Sequence, residues 1–427
     1  MTKPEKKALV PALRFPEFRD AGEWKTVKLK YVAKCTTLKN TDGRNNRVLT
    51  NSAEYGIVDQ RDFFDKDIAN QNNLEGYYIV EKGDYVYNPR ISTFAPVGPI
   101  SKNKLGTGVM SPLYTVFRFN DSNNDFYEHY FKTSQWHNYM RVVSNNGARH
   151  DRMAISAADF LAMPLPESLS EEQQKIADCL SSIDDLITAQ TQKLAALKAH
   201  KKGLMQQLFP AEGETVPKLR FPEFRDGWKK NKLENLIELL SGYAFQSEYF
   251  SENGKKLLTP KNFTKHGAAN FNKENTKFTI EECDSKYACR QGDLLLLLTD
   301  LTPSCELLGK PILLKENEEV LLNQRIVKVT PKNPLDIRFL LYFFSTETYH
   351  KRIRDTATGS TVRHSSNKIV LGTQIYMPSI EEQQKIADCL SSVDELITAQ
   401  AEKVEALKKH KKGLMQQLFP SMDEVGA

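Results

Sequence analysis

At 427 residues the chain is too long for one ordinary core, and roughly 100 to 200 residues per domain predicts two or three domains. Its 40% hydrophobic and 26% charged content and mean hydropathy of −0.51 argue against a membrane protein, and its apolar runs, such as Leu294 to Leu298, are too short to span a bilayer. A net charge of +5 and a pI near 8.6 suit a polyanionic partner but equally suit proteins that touch none, so charge decides nothing.

The N-terminal stretch MTKPEKKALVPALRF has no uninterrupted apolar run before a small-residue cleavage site, so no secretory signal is read and a cytoplasmic address is expected. LRFPEFRD at Leu13 to Asp20, followed by Trp24-Lys25, opens a first unit. Arg44, Asn45, Asn46 and Arg47 form a basic polar loop. Gly83-Asp84 followed by YVYNP reads as a turn and a strand, with Arg90, Ser92 and Thr93 just beyond it. Val116 to Phe119 reads as a further strand and Phe126 to Val143 as an amphipathic helix. A Gly-containing polar loop then carries Asn145, Asn146, Arg149, His150 and Arg152.

Beyond Pro166 the pattern changes. Ser170 with Glu171 to Gln174 supplies a helix start, and Ile176, Leu180, Ile183, Ile187, Gln190, Leu194, Leu197, Lys201, Leu204 and Leu208 follow at alternating spacings of four and three. That is a coiled-coil seam on a helix roughly 50 to 55 Å long at 1.5 Å per residue, with Pro210 as its stop. Gln190 is a polar seam position of the kind that sets register. Gly203 weakens the last turns by about 1 kcal/mol relative to alanine.

The whole pattern then recurs. LRFPEFRD returns at Leu219 to Asp226 before Trp228-Lys229, and EEQQKIADCLSS at Glu171 to Ser182 returns at Glu381 to Ser392. HKKGLMQQLFP closes both units, at His200 to Pro210 and His410 to Pro420. The second seam is Ile386, Leu390, Val393, Ile397, Gln400, Val404, Leu407, Lys411, Leu414 and Leu418, with Gly413 near its end. Two such helices can bury their seams on each other as an antiparallel rigid spacer; the alternative is that each packs only on its own globular unit, although so narrow a stripe is less than most core-facing helices need.

Between these borders the halves diverge, yet landmarks keep register. Gly292-Asp293 before LLLLLT answers Gly83-Asp84, Ile326 to Val329 answers Val116 to Phe119, Ile337 to Arg354 is the matching helix, and Arg363-His364 after Gly359 answers Arg149-His150 after Gly147. Alternating short strands and amphipathic helices place both inserts in the mixed α/β class. Near-identical borders around unlike inserts imply that the borders meet something common and the inserts two different things.

Cys35, Cys179, Cys283, Cys289, Cys305 and Cys389 include no CxxC pair and no histidines at zinc-ligand spacing, which leaves ordinary reduced thiols and no metal site. No NPPY or DPPY methylation motif and no GxxxxGK[ST] phosphate loop is present; Asn88-Pro89-Arg90 is a partial likeness and Gly309-Lys310 runs into a proline. No catalytic residues are expected.

The proline-bounded EEQQKIADCLSSID followed by a long heptad helix, occurring twice, resembles the specificity subunits of type I restriction-modification enzymes, over nearly the whole chain. GSTVRHSSNKIVLGTQIYMP and NNGARHDRMAISAADFLAMPLP look like the segments that close such subunits' recognition domains. The resemblance implies an α/β fold in which two mixed α/β target-recognition domains are separated by two long antiparallel coiled-coil helices in a pseudo-twofold internal repeat. The domains would be residues 1–166, first recognition domain; 167–210, first helix; 211–378, second recognition domain; and 379–427, second helix and tail. It further implies double-stranded DNA as ligand, read as an asymmetric, gapped, bipartite target. The expected partners are two copies of an adenine-N6 methyltransferase subunit and a translocase-nuclease subunit, with S-adenosylmethionine, ATP and magnesium held by those partners.

Bases are read by Arg, Lys, Asn and Gln, while Lys and Arg on phosphates supply affinity without information. The loop of Asn145, Asn146, Arg149, His150 and Arg152 and its counterpart, Thr358, Ser360, Thr361, Arg363, His364, Ser365 and Asn367, are the first candidates. Arg44, Asn45, Asn46, Arg47, Arg90, Ser92 and Thr93 follow, and in the second insert Tyr243, Gln246, Lys261, Asn262, Thr299, Asp300 and Thr302. Against each stands a bland reading: arginines paired with Asp151 or Asp355, histidines capping a helix, loops merely solvated. The Lys198 to Lys202 and Lys408 to Lys412 clusters suit phosphates, an acidic partner surface or plain solvation. Half-sites on successive major-groove faces would lie about 10 to 10.5 bp apart. Two other functions fit the same pattern, a stand-alone two-headed DNA-binding regulator and a coiled-coil tether without DNA contact.

Overall fold

The computed structural model describes residues 9–63, 74–144, 151–264, 267–300, 304–315, 319–360 and 362–422. It divides into two compact units, Met1–Thr191 with Lys403–Ala427, and Gln192–Glu402. The units cut across the linear order of insert, helix, insert, helix: each holds one insert and a part of both long helices.

The long helices are Ser170–Leu208 and Ile380–Leu418, 39 residues each. At 1.5 Å per residue that is about 58 Å, slightly longer than the helix expected from the sequence, because each begins several residues ahead of its first seam residue. All twenty seam positions are buried or half-buried, whereas the positions flanking them are mostly exposed. Gly203 and Gly413 lie inside the helices, and a methyl group at either would meet open space, so neither glycine is there to relieve crowding.

Within each unit the helices are joined by the same ion pair. In the first, Lys411 Nζ lies 2.5 Å from both Asp184 oxygens; in the second, Lys201 Nζ lies 2.6 and 2.8 Å from those of Asp394. Asp184 and Asp394 occupy equivalent places in the repeat, as do Lys201 and Lys411. Lys201 and Lys411, the seam members of the two lysine clusters, are thus each turned onto an aspartate. A partly desolvated ammonium needs such a counter-charge, and burial still pushes Lys411 below the usual lysine range.

Each unit is built on one antiparallel sheet of four strands in the same order. In the first this is Ala33–Cys35, Thr115–Phe119, Tyr85–Tyr87, Ile100–Lys102; in the second, Ile237–Ser241, Ile326–Pro331, Leu294–Leu297, Pro311–Leu313. The repeated Gly-Asp does the same work in both. Gly83 and Gly292 take positive φ (96° and 84°), and the following aspartate ties its turn to the neighbouring strand, Asp84 accepting from Arg118 Nε at 2.6 Å and Asp293 from Lys328 Nζ at 2.7 Å.

A two-stranded ribbon closes each unit, Lys25–Lys28 against Pro164–Glu167 and Lys229–Lys232 against Gln374–Met377. The repeated Trp and Phe meet in the core: Trp24 packs edge-on to Phe126, which contacts Phe419, and Trp228 packs on Phe339, which contacts Phe209. The opening motif is held on a helix end in both, Leu13 N donating to Gln417 O and Leu219 N to Gln207 O, each at 2.9 Å.

The helices expected over Phe126 to Val143 and Ile337 to Arg354 are each two short ones, Asp125–Tyr130 with His137–Val143, and Ile337–Phe343 with Glu347–Asp355. The breaks are local chemistry. Thr133 and Thr346 turn their hydroxyls back onto the carbonyls of Tyr130 and Phe343, and Thr346 Oγ1 then accepts from Tyr349 N as the cap of the next helix. Outside the shared frame the inserts part company. The first adds the pairs Leu49–Ser52 with Gly56–Asp59 and Tyr78–Val80 with Gly108–Met110; the second adds a five-stranded sheet.

Candidate nucleic-acid interface

In both units the chain leaving the third strand of the central sheet folds onto the segment that closes the insert. In the first unit Met153 N donates to Pro89 O (2.9 Å) and Ile91 N to Asp151 O (3.0 Å), with Arg90 and Arg152 bridged between them. In the second, Thr299–Asp300 pairs antiparallel with Arg363–His364, and Ser365 N donates to Leu298 O at 3.1 Å. Candidates far apart in sequence are thereby gathered: Arg90, Ser92 and Thr93 with Arg152, and Thr299 with Arg363, His364 and Ser365.

The second cluster is chemically the more ordered. Thr299 Oγ1 lies 3.2 Å from His364 Nδ1, which orients the imidazole. Arg363 Nε and Ser365 Oγ are buried and, among the described residues, have no hydrogen-bond partner, two unmet polar groups on successive odd positions. Arg363 makes no ion pair with Asp355, and the helix Asn367–Leu371 is capped by Ser366, whose Oγ accepts from Ile369 N, rather than by His364. Asp300 is buried, its carboxylate accepting from Leu307 N (2.6 Å) and Leu308 N (3.1 Å), and so anchors its loop.

In the first cluster Arg90, Ser92 and Thr93 are exposed. Arg152 is half-buried, its Nε 3.8 Å from Asp151, a loose version of the bland pairing. Asn88, legible in the sequence only as part of a partial methylation-motif likeness, orders this loop by donating Nδ2 to Asn51 O (3.0 Å) and accepting from Arg90 N (3.0 Å). An Asn-Pro step after a strand was the available signal.

The remaining candidates stand apart from these two clusters. Arg44 is exposed beside Asp42, and Asn46 is exposed; the backbone of Asn45 is held by buried Asn40. Arg47 is spent on Asp59 (2.9 Å) and Leu105 O (3.2 Å). Tyr243 donates its hydroxyl to Glu281 at 3.0 Å, which raises its pKa, and Gln246 N donates to the same carboxylate at 2.8 Å. Lys261, Thr358 and Ser360 are exposed. Asn262 is a correction: it is fully buried, its amide donating to Asn270 O and Asn275 O and accepting from Thr259, so it holds a turn and presents nothing to a ligand. Asn145, Asn146, Arg149, His150, Thr302 and Thr361 lie outside the described residues.

The family pattern described as the type I restriction modification DNA specificity domain matches residues 21–199 and 225–409, both inserts and most of both helices. The chain belongs to that family. Among its relatives, the type I restriction enzyme MjaVIII specificity subunit of Methanocaldococcus jannaschii is 30% identical over 270 residues, 61% of each chain. The putative MjaX specificity subunit of the same organism is 23% identical over 305 residues, 66% of this chain and 64% of that one. The specificity-family chain thus spans less than two thirds of the length of these curated relatives. Two solved structures share its fold with a TM-score of 0.56. One is the type I restriction-modification S subunit from M. genitalium, at 13% identity over 97% of this chain and all of that one. The other, from work on complex assembly and conformational transition of the type I R-M system, is at 16% identity over 93% and 98%.

Among the described residues of this specificity-family chain, no cluster of His, Cys, Asp and Glu suits a metal ion, the six cysteines are unpaired, and no helix is long and apolar enough to cross a membrane.

Proposed function

We propose that this chain is the non-catalytic DNA-reading subunit of a type I restriction-modification enzyme. One insert reads each half of an asymmetric gapped target, and the repeated helices and their closing ribbons dock two copies of an adenine-N6 methyltransferase subunit and the translocase-nuclease. S-adenosylmethionine, ATP and magnesium belong to those partners, and the complex works in the cytoplasm.

The observation that carries this reading is duplication of the frame without duplication of its contents. The ribbon, the Trp-Phe-Phe contact and the Asp-Lys pair all occur twice. The extra strands differ outright between inserts. A frame repeated in this way suits two copies of one partner, and unlike inserts suit two different DNA half-sites. In each insert the gathered loop offers Arg, Ser, Thr or His donors of the kind that meet base edges and phosphates.

The test is to coexpress the chain with its methyltransferase subunit and map N6-methyladenine across a genome. A two-part motif is expected, and replacing one insert should change one half of it only. A change in both halves refutes independent reading. Tight specific binding by the isolated chain would favour a stand-alone regulator, and absence of salt-dependent DNA binding even with partners would favour a tether. Methyl transfer by the pure chain would overturn its non-catalytic role.

A further inference from the structure

Phe94 is 75% exposed, the largest exposure of any phenylalanine among the described residues. Singly exposed apolar side chains are ordinary on soluble proteins. This one is distinguished by how firmly it is held out. Ser92 and Ala95 exchange both backbone hydrogen bonds (3.0 and 3.1 Å), so Thr93 and Phe94 form a two-residue tip, and Ser92 Oγ also accepts from Ala95 N at 3.2 Å. Below the tip, Ala95 and Val97 are buried, Gly98 N donates to Ala95 O (3.0 Å), and Tyr87 Oη donates to Val97 O (2.9 Å). Gly98 has φ +81°, and a Cβ there would lie 2.1 Å from Asn88 O, so the loop's two arms pass too closely for any other residue. The bonds to Asp151 and Met153 pin the base of the loop. An aromatic ring is thus presented on a stiff support, with the rotational freedom of its backbone already removed.

Its surroundings indicate what it meets. Arg90 is exposed at the root of the tip, bridged to Arg152, and Ser92 and Thr93 add short polar groups; Asp151 is the one carboxylate of this stretch and lies beside Arg152. A rigid aromatic on a loop whose root carries two arginines matches a duplex, where cations hold phosphates while an apolar wedge enters and partly unstacks a base step. We propose that Phe94 is such a wedge, entering a base step of the half-site read by the first insert and adding specificity through how easily that step unstacks. The inference rests on the DNA-reading function above.

The experiment uses the full chain in complex with its methyltransferase and duplexes carrying the mapped target, with 2-aminopurine placed at each position in turn outside the methylated adenines. The wild-type complex is expected to raise fluorescence at one step of the first insert's half-site. Phe94→Ala should abolish that rise and weaken specific binding about 10-fold, the scale of one lost base-aromatic stack, and Phe94→Trp should restore both. Because the ring is exposed, Phe94→Ala leaves the core intact. A Phe94→Ala complex with the wild-type fluorescence profile overturns the wedge while leaving DNA reading in place. Loss of methyltransferase association in Phe94→Ala overturns it also, by making the ring a protein contact. Failure of the wild-type complex to bind any duplex in a salt-dependent way overturns the DNA-reading function itself.

Discussion

Glu172 and Glu382 stand at the same place in the two repeats, and each is buried under a bidentate arginine, Arg14 at 2.7 and 2.8 Å and Arg220 at 2.8 Å twice. Trp24 Nε1 also donates to Glu172 at 3.0 Å, whereas Trp228 Nε1 is buried with no partner among the described residues. The frame is therefore kept at the level of charge pairing and allowed to drift in what surrounds it. The inserts drift far more, from separate strand pairs in the first unit to a five-stranded sheet in the second. Surfaces with a shared obligation keep their chemistry in duplicate; surfaces with separate obligations need keep only the sheet that carries them.

The sharpest way to break this comparison is at the glutamates. Glu172→Ala strands an arginine and an indole N–H together and should lower stability by about 3 to 5 kcal/mol, with a smaller loss for Glu382→Ala, which strands the arginine alone. Urea unfolding monitored by tryptophan fluorescence measures both, and equal losses would show that the Trp24 bond is idle. Next in size is Arg363→Ala, expected to relax a base preference by about 1 to 3 kcal/mol in competition between matched and mismatched targets, with the other half-site unaffected. Unchanged preference in both halves would remove Arg363 from the reading loop.

Acid should act on the two units through different histidines. Burial pushes His129 down to about 4 and His350 down to about 3, against an unfolded value near 6.5. Their folded forms are neutral, so their contribution is full above pH 6.5 and is lost as the unfolded chain takes up protons on the way down. Between pH 7.5 and pH 5 the loss is about 2 kcal/mol per histidine. His129→Gln and His350→Gln should each flatten the pH dependence of the urea midpoint between those values, and an unaltered slope would mean the imidazoles are hydrated. The smallest effect belongs to the exposed pair of Lys408 and Glu405: Lys408→Ala should change stability by no more than about 0.5 kcal/mol, in contrast to Lys411→Ala, which leaves Asp184 without its seam partner.

The repeat, the heptad seam, the Gly-Asp turns and the central strands were legible in the sequence because each is governed by neighbours along the chain: a side-chain period, a φ above zero, a proline stop. The helix breaks after Tyr130 and Phe343 were not, since a threonine hydroxyl turned onto a carbonyl looks in sequence like any polar helical position. Which polar residues share a surface was also hidden. Asn262 and Arg47 have the composition of ligand-reading residues, but one is consumed by a turn and the other by Asp59, while Arg90 and Arg152 are brought together from 62 positions apart. Local spacing determines what kind of element forms, and by itself it settled the duplicated frame of this protein. Only tertiary structure decided which side chains are spent on the fold and which are left over for a ligand, because burial and pairing are made between strands whose separation along the chain carries no record of their contact.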